Sequence, residues 1–305
     1  MTNSWPVLDT TEPVLVFGGP YGNLQATRAL LEHANRLNIP PSQIICTGDL
    51  AAYCADPRAT IELVLGSGIH CVMGNCDEQL ANDLADCGCG FDEGSQCERL
   101  ALVWFNYARR MINSSHRQEL AKLPRRIDLM IGGGRFAVIH GGVDSINRFI
   151  FATTNRDVKR GELELAVCDG VIGGHCGLPF SEAIDGLLWH NPGVIGMPAN
   201  DGTARVWYSV LTPSQDELLI EHHSLDYDHA TAADAMVEAG LPQEYRESLS
   251  SGLWPNCDIL PMRESEARGV ALAPSKFAWK SGGQATGSRD RSHDESGVIW
   301  PDCLR

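Results

Sequence analysis

The apolar positions of the chain come in two periods, and the alternation between them sketches an architecture. Val14 to Phe17 is a short continuous apolar run of the kind that forms a buried strand. It ends at Gly18-Gly19-Pro20-Tyr21-Gly22-Asn23, after which Leu24 to Leu37 carries helical periodicity. Ile44 to Thr47 repeats the strand pattern, Asp56-Pro57 opens a helix through Leu65, and Ile69 to Met73 is a third strand. Two successive strand-helix-strand units predict parallel pairing. From Asp77 to Leu123 the pattern is mostly helical, interrupted by a loop of glycines and cysteines from Asp86 to Cys97. Ile127 to Ile131 and Phe136 to Ile139 flank Gly132-Gly133-Gly134, and glycines there supply the positive φ angles of a tight hairpin turn.

Residues 155–168 read as a helix and Val171-Ile172 as a short strand. Gly186 to Trp189, Ala204 to Leu211 and Leu218 to His223 are further strands, so the second half is mostly a meander in a mixed sheet or in two facing sheets. Short helices follow at Ala230 to Ala239 and Gln243 to Leu249. From Glu264 onward Gly, Ser, Arg and Asp replace the apolar periodicity, which predicts a flexible tail. The expected organisation is a core over 1–228 with a helical, cysteine-containing insertion at 78–124, a helical extension over 229–263, and a tail over 264–305.

Composition narrows the function classes. The chain has 305 residues, 43% of them hydrophobic, enough to fill a core. It carries 39 acidic against 24 basic side chains, a net charge of −15, which disfavours nucleic acid and anionic membranes as partners. Met1 to Thr11 lacks a basic flank followed by an apolar segment, and no apolar run is long enough to span a bilayer, so a cytoplasmic protein is expected. The 11 cysteines are scattered and often strand-like in context, as in Ile44-Ile45-Cys46 and His70-Cys71-Val72, and read as thiols rather than a disulfide frame.

The chemistry concentrates where strands end. Thr47-Gly48-Asp49, Gly74-Asn75, His140-Gly141 and Gly173-Gly174-His175 each place a glycine beside a candidate ligand directly after an apolar run. One Asp, one Asn and two His suit a borderline cation, with Asp49 able to bridge a second ion. Trp254-Pro255-Asn256-Cys257 is echoed by Trp300-Pro301-Asp302-Cys303, a match short enough that chance is the preferred reading.

The order Gly-Asp, Gly-Asn, His-Gly, Gly-His and then Asn191-Pro192-Gly193 resembles the calcineurin-like metallophosphoesterase superfamily, in particular its small bacterial phosphodiesterase-like branch. The resemblance runs from about Val14 to the helices near Leu249; Gly22-Asn23-Leu24-Gln25-Ala26 and Asp56-Pro57 also look like the family's segments. It implies an α/β fold, a four-layer α/β/β/α sandwich of two mixed β-sheets flanked by helices, with metals at the sheet edges. It implies as well a small phosphorylated substrate and a divalent ion such as Mn, Fe or Zn. The family's opening Asp-x-His is replaced here by Gly19 and Tyr21, and its Gly-His-x-His reads Gly174-His175-Cys176-Gly177. Carried over by position, one metal site is complete as Asp49, Asn75, His140 and His175, and the other keeps only the shared Asp49. One ion is therefore expected rather than two.

The same resemblance puts Cys76 where the family has its proton-donating His, with Asp77 orienting it and Asp49 completing the catalytic set. Tyr21, Cys54 and Cys176 fall on loops around the altered site. They either favour a softer, redox-active ion or simply fill the core, and the second reading is preferred because free cysteine is so often buried. Cys87, Cys89 and Cys97 lack paired Cys-x-x-Cys spacing and read as thiols of a solvated loop rather than a zinc knuckle. His222 and His223 are adjacent on a strand and face opposite ways, which keeps them from serving one ion; His190, a lone His, reads as core or surface. Three functions are compatible with these features, in this order: a metal-dependent phosphoesterase, a degenerate non-catalytic ligand-binding or regulatory relative, and a Cys-rich redox or metal-binding protein. The sequence leaves a homo-oligomer open.

Overall fold

A computed structural model of the chain describes residues 5–214 and 217–280. In chain order the elements are β1 (Val7–Asp9), β2 (Val14–Phe17), α1 (Leu24–Arg36), β3 (Ile44–Cys46), α2 (Pro57–Gly66), β4 (His70–Cys71), α3 (Asn75–Ala81), α4 (Gln96–Met111), α5 (Ser114–Leu120), β5 (Ile127–Ile131) and β6 (Gly134–Val138). They continue with α6 (Arg156–Ala166), β7 (Gly170–Ile172), β8 (Phe180–Ile184), β9 (Leu187–Asn191), β10 (Val206–Pro213), β11 (Leu218–Leu225), α7 (His229–Glu238), α8 (Gln243–Ser251), α9 (Met262–Glu266) and β12 (Ser275–Trp279).

The strands form two mixed sheets of six, ordered β1-β5-β6-β7-β9-β8 and β12-β11-β10-β2-β3-β4. The parallel pairs β2/β3 and β3/β4 are those that the strand-helix-strand pattern predicts. Side chains on a strand alternate between its faces, and the alternation here serves two cores. Val14, Val16 and Ile45 meet Leu129, Phe136, Val138 and Ile172 between the sheets. Their neighbours Leu15, Phe17, Ile44 and Cys46 face outward to Leu30 of α1 and to Ile61 and Val64 of α2. On the other side Ala137, Val171 and Trp189 pack with Leu163 and Ala166 of α6. Helix, sheet, sheet and helix thus lie in four layers, with each fully buried large apolar side chain contributing roughly 1.5–3 kcal/mol.

Local chemistry explains the element ends. Asn23 caps α1 by accepting from the Ala26 amide at 3.0 Å, while its side-chain amide donates to Gly196 O at 3.1 Å and so ties that helix start to the loop before β10. Gly132 and Gly133 have φ of 58° and 75°, as a two-residue hairpin loop with positive φ at both positions requires.

Three strands and one helix escape sequence-level reading. β1 is a three-residue edge strand with exposed ends. β8 looks polar, but its Ser181 and Glu182 are buried against His190 and Lys159. The expected tail beyond residue 264 is corrected over its first part. Glu264 of α9 is buried and accepts from the Thr153 amide at 2.9 Å. β12 extends the second sheet alongside β11, with Lys276 paired to Glu221 at 2.7 Å and Trp279 set against Phe136 at 5.0 Å between ring centres. Long-range partners hold this polar segment, and local composition does not record them. Residues 281–305, including the second Trp-Pro copy at Trp300, lie outside the described residues. Among the described residues no helix is long and apolar enough to cross a membrane.

A polar thread crosses the inter-sheet space. Ser181 Oγ of β8 lies 2.9 Å from His190 Nδ1 and 3.0 Å from His222 Nε2 of β11, and His190 Nε2 lies 2.8 Å from Ser209 Oγ of β10. His190 is therefore a core residue, while His223 faces away and stacks on Tyr208 at 5.4 Å. Burial drives His222 down to about 3 and His190 well below its ordinary value. A folded pKa below the unfolded one means that stability is fully present above about pH 6.5 and is lost as pH falls toward 3. His222→Gln should reduce the loss of unfolding free energy between pH 7 and pH 4 by up to roughly 3 kcal/mol, measured by urea denaturation at both pH values; parallel pH curves for both proteins would refute the assignment.

Candidate metal centre

Asp49 follows β3 with φ of 60°, a left-handed conformation that needs outside support. Asp77, in the first turn of α3, supplies it. Its Oδ2 accepts from the amides of Asp49 at 2.8 Å and Gly74 at 2.9 Å, and its Oδ1 accepts from Leu50 at 2.9 Å. One carboxylate thereby joins the loops after β3 and β4. Burial and the neighbouring Asp49 push Asp77 up to about 6, against the pull of its amide donors. Gly74 is obligatory in this packing, since a Cβ there would lie 2.1 Å from Asp49 Oδ1.

Asp49 Oδ1 accepts from the Cys76 amide at 2.9 Å, and Oδ2 lies 3.3 Å from His140 Nε2. His140 Nδ1 is 2.7 Å from Thr47 O. A carbonyl only accepts, so Nδ1 carries the proton and, in the neutral ring, Nε2 presents a lone pair. That nitrogen faces Asn75 Oδ1 at 3.0 Å and His175 Nδ1 at 2.9 Å. Asn75 Nδ2 donates to Cys87 O at 2.9 Å, which identifies Oδ1 as the atom turned to the cluster. Four ligand-capable atoms thus meet at one point, an arrangement that a positive charge among them would stabilise. Ligands bound at about 2.0–2.1 Å stand about 3.0–3.4 Å apart, which matches these separations. Among the described residues the metal-capable cluster is Asp49, His140 and His175, all buried, with ligand atoms within 4.8 Å. The donor set fits a borderline divalent ion.

The electrostatics agree. Burial alone would lower His140, but the Asp49 carboxylate outweighs it and holds the imidazole above its ordinary value. His175, buried and beside His140, falls to about 3, and its Nε2 has no hydrogen-bond partner among the described residues. The Phe149 ring covers it at 4.2 Å.

The remaining sequence candidates do not gather into a second ligand set. Tyr21, with φ of 54°, lays its ring over Gly19, where a Cβ would fall 2.3 Å from Cζ. Burial and then Asp49 raise the phenol well above its usual range, so it is protonated. Cys176 accepts from Asn191 Nδ2 at 3.1 Å and is pushed up to about 12 by burial. Cys54 turns its thiol to Gly196 O at 3.6 Å. The geometry matches core filling, without a softer-ion site.

Cys76 is buried, with its thiol raised by burial and by Asp49, and it is absent from the cleft lining. Asp77 spends both oxygens on amides. Both residues act on Asp49 from behind, which differs from the proton-donor pair that the resemblance implies. Cys87, Cys89 and Cys97 are buried rather than solvated. Cys87 and Cys89 are joined as a disulfide, which corrects the expectation of thiols there, and Cys97 donates to Asn256 Oδ1 at 3.0 Å.

A cleft of about 720 Å³ opens beside Asp49 and His175. Its walls include Tyr53, Phe91, Phe149, Tyr245 and Trp254, which sequence reading did not assign to a site. The only sequence cue was the Trp254-Pro255-Asn256 echo, whose first copy lines this cleft.

Comparison with known proteins follows this geometry. The calcineurin-like phosphoesterase superfamily domain matches residues 20–216. The uncharacterized protein MJ0912 of Methanocaldococcus jannaschii is 25% identical over 257 residues, covering 78% of this chain and 98% of its own. A metallophosphoesterase from Sphaerobacter thermophilus is 25% identical with a TM-score of 0.63, covering 80% of this chain and 100% of its own. The hypothetical protein PH1004 of Pyrococcus horikoshii OT3, 17% identical with a TM-score of 0.65 over 81% of this chain and 100% of its own, shares the fold.

Asp77→Asn would set an amide N–H against backbone donors. It should lower the unfolding free energy by about 2–4 kcal/mol in urea denaturation, since buried groups lose charge-assisted partners; an unchanged midpoint and slope would show that the clamp is dispensable.

Proposed function

The chain belongs to the calcineurin-like phosphoesterase superfamily, and from that premise we propose that it hydrolyses small phosphate esters with one divalent ion, Mn, Fe or Zn, held by Asp49, Asn75, His140 and His175. The observation that carries this reading is the convergence of His175 Nδ1, Asn75 Oδ1 and Asp49 Oδ2 on His140 Nε2, at 2.9, 3.0 and 3.3 Å. When bound, the ion supplies Lewis acidity and eases the ionisation of water.

The protein's own groups orient that chemistry. Thr47 O fixes the His140 tautomer, and the Cys76 amide fixes the Asp49 rotamer, so both ligands are held before any ion arrives. Tyr21 lines the cleft beside Asp49. As a protonated phenol next to Asp49 it can donate to a phosphoryl oxygen. Phe149, packed on His175, excludes water from one side of the centre. A net charge of −15 supports a small substrate over nucleic acid or an anionic membrane, and eight free cysteines among the described residues, beside the one disulfide Cys87–Cys89, support a reducing cytoplasmic setting.

A second reading, a ligand-binding relative without turnover, is favoured by Gly19, Tyr21 and Gly177 standing where the family has ligands. The two separate on p-nitrophenyl phosphate and bis-p-nitrophenyl phosphate with added manganese. The esterase reading expects one ion per chain by elemental analysis. It also expects turnover that falls in Asp49→Ala by more than about 100-fold, the upper end of what losing an outer-shell partner costs. An ion bound without turnover above that control would leave the binding role.

A further inference from the structure

Resting on the one-ion reading above, we propose that the cleft selects a phosphate ester that bears a single phosphate on a flat apolar or aromatic group. The cleft is lopsided in chemistry. At one end lie Asp49 and His175 of the metal centre; the rest of the lining is mostly apolar and includes six aromatic rings. Tyr21 meets Tyr53 edge-on at 4.9 Å and 85°, and Tyr53 meets Tyr245 at 4.8 Å and 52°. Trp254 is held in the wall by its indole N–H donating to Pro198 O at 2.7 Å. Tilted contacts of this kind leave ring faces and edges available to a guest ring.

Charge sets the other half of the selection. Among the described residues Asp49 and His175 are the only Asp, Glu, His, Lys or Arg side chains in the lining, so none of them sets a fixed cation against the cleft. The positive charge that receives phosphate must come from the ion alone. A divalent ion with the Asp49 carboxylate leaves one positive charge, enough to offset part of the charge of a single phosphate. A second phosphate would sit against aromatic walls without a counter-charge, which is costly where water is scarce.

The experiment uses the full chain loaded with manganese and non-hydrolysable probes, read by calorimetry. 2-Naphthylmethylphosphonate should bind at least about tenfold tighter than methylphosphonate, a floor for burying a bicyclic arene. It should also bind tighter than the corresponding diphosphonate. Trp254→Ala should shrink the naphthyl preference to less than about threefold and Trp254→Phe should restore most of it, since a ring face is the requirement. A parallel titration of uncharged 2-naphthylmethanol into metal-free protein isolates the apolar wall from the ion. Binding there, weakened by Trp254→Ala, upholds the aromatic selection even if the chain cleaves no ester and the hydrolytic reading fails. Equal affinities for the naphthyl and methyl phosphonates, or tighter binding of the diphosphonate, would overturn the proposal while leaving the one-ion esterase standing if p-nitrophenyl phosphate is turned over.

Discussion

Three backbone amides on one buried carboxylate hold the centre in register. Asp77 does not face the cleft, yet without it the amides of Asp49, Leu50 and Gly74 would lose a common acceptor and the loops after β3 and β4 would part. Everything downstream depends on that closure. The left-handed turn at Asp49 aims one oxygen back to the Cys76 amide and the other forward to His140, and His140 is locked by the carbonyl two residues before Asp49. A ligand set assembled from the ends of strands in two sheets is thereby as rigid as the inter-sheet core beneath it.

Two buried histidine groups in this core show how partners decide a role. His190 and His222 are bridged by the Ser181 hydroxyl, which can donate or accept, and Ser209 takes the other nitrogen of His190, so neutral rings suit this thread. His140 and His175 instead face an amide oxygen, a carboxylate and each other, with Thr47 O taking the other ring nitrogen of His140. The same residue type makes a structural thread in one place and a candidate metal site in the other.

Much of this was legible in the sequence. Parallel units near the start and the glycine hairpin followed from period and turn chemistry, and the four candidate ligands that the fold brings together followed from glycines at strand ends together with the order of motifs. What escaped reading depends on contacts far apart in the chain. β12 reads as tail because its partners, β11 and Phe136, lie well before it. Tyr53, Tyr245 and Trp254 belong to separate segments with no shared motif, and only tertiary packing turns them into one wall. Asp77 was legible as a residue of the site, but its service as a backbone clamp became visible only with the loops in place.

The Tyr21 ring resting on Gly19 carries a consequence for the redesign of such a centre. With Cζ 2.3 Å from where a Cβ at position 19 would stand, no side chain can be added there while the ring remains. A side chain at 19 is therefore tolerated only once the ring at 21 has gone. Placing an acidic residue at 19 requires a smaller residue at 21 in the same step.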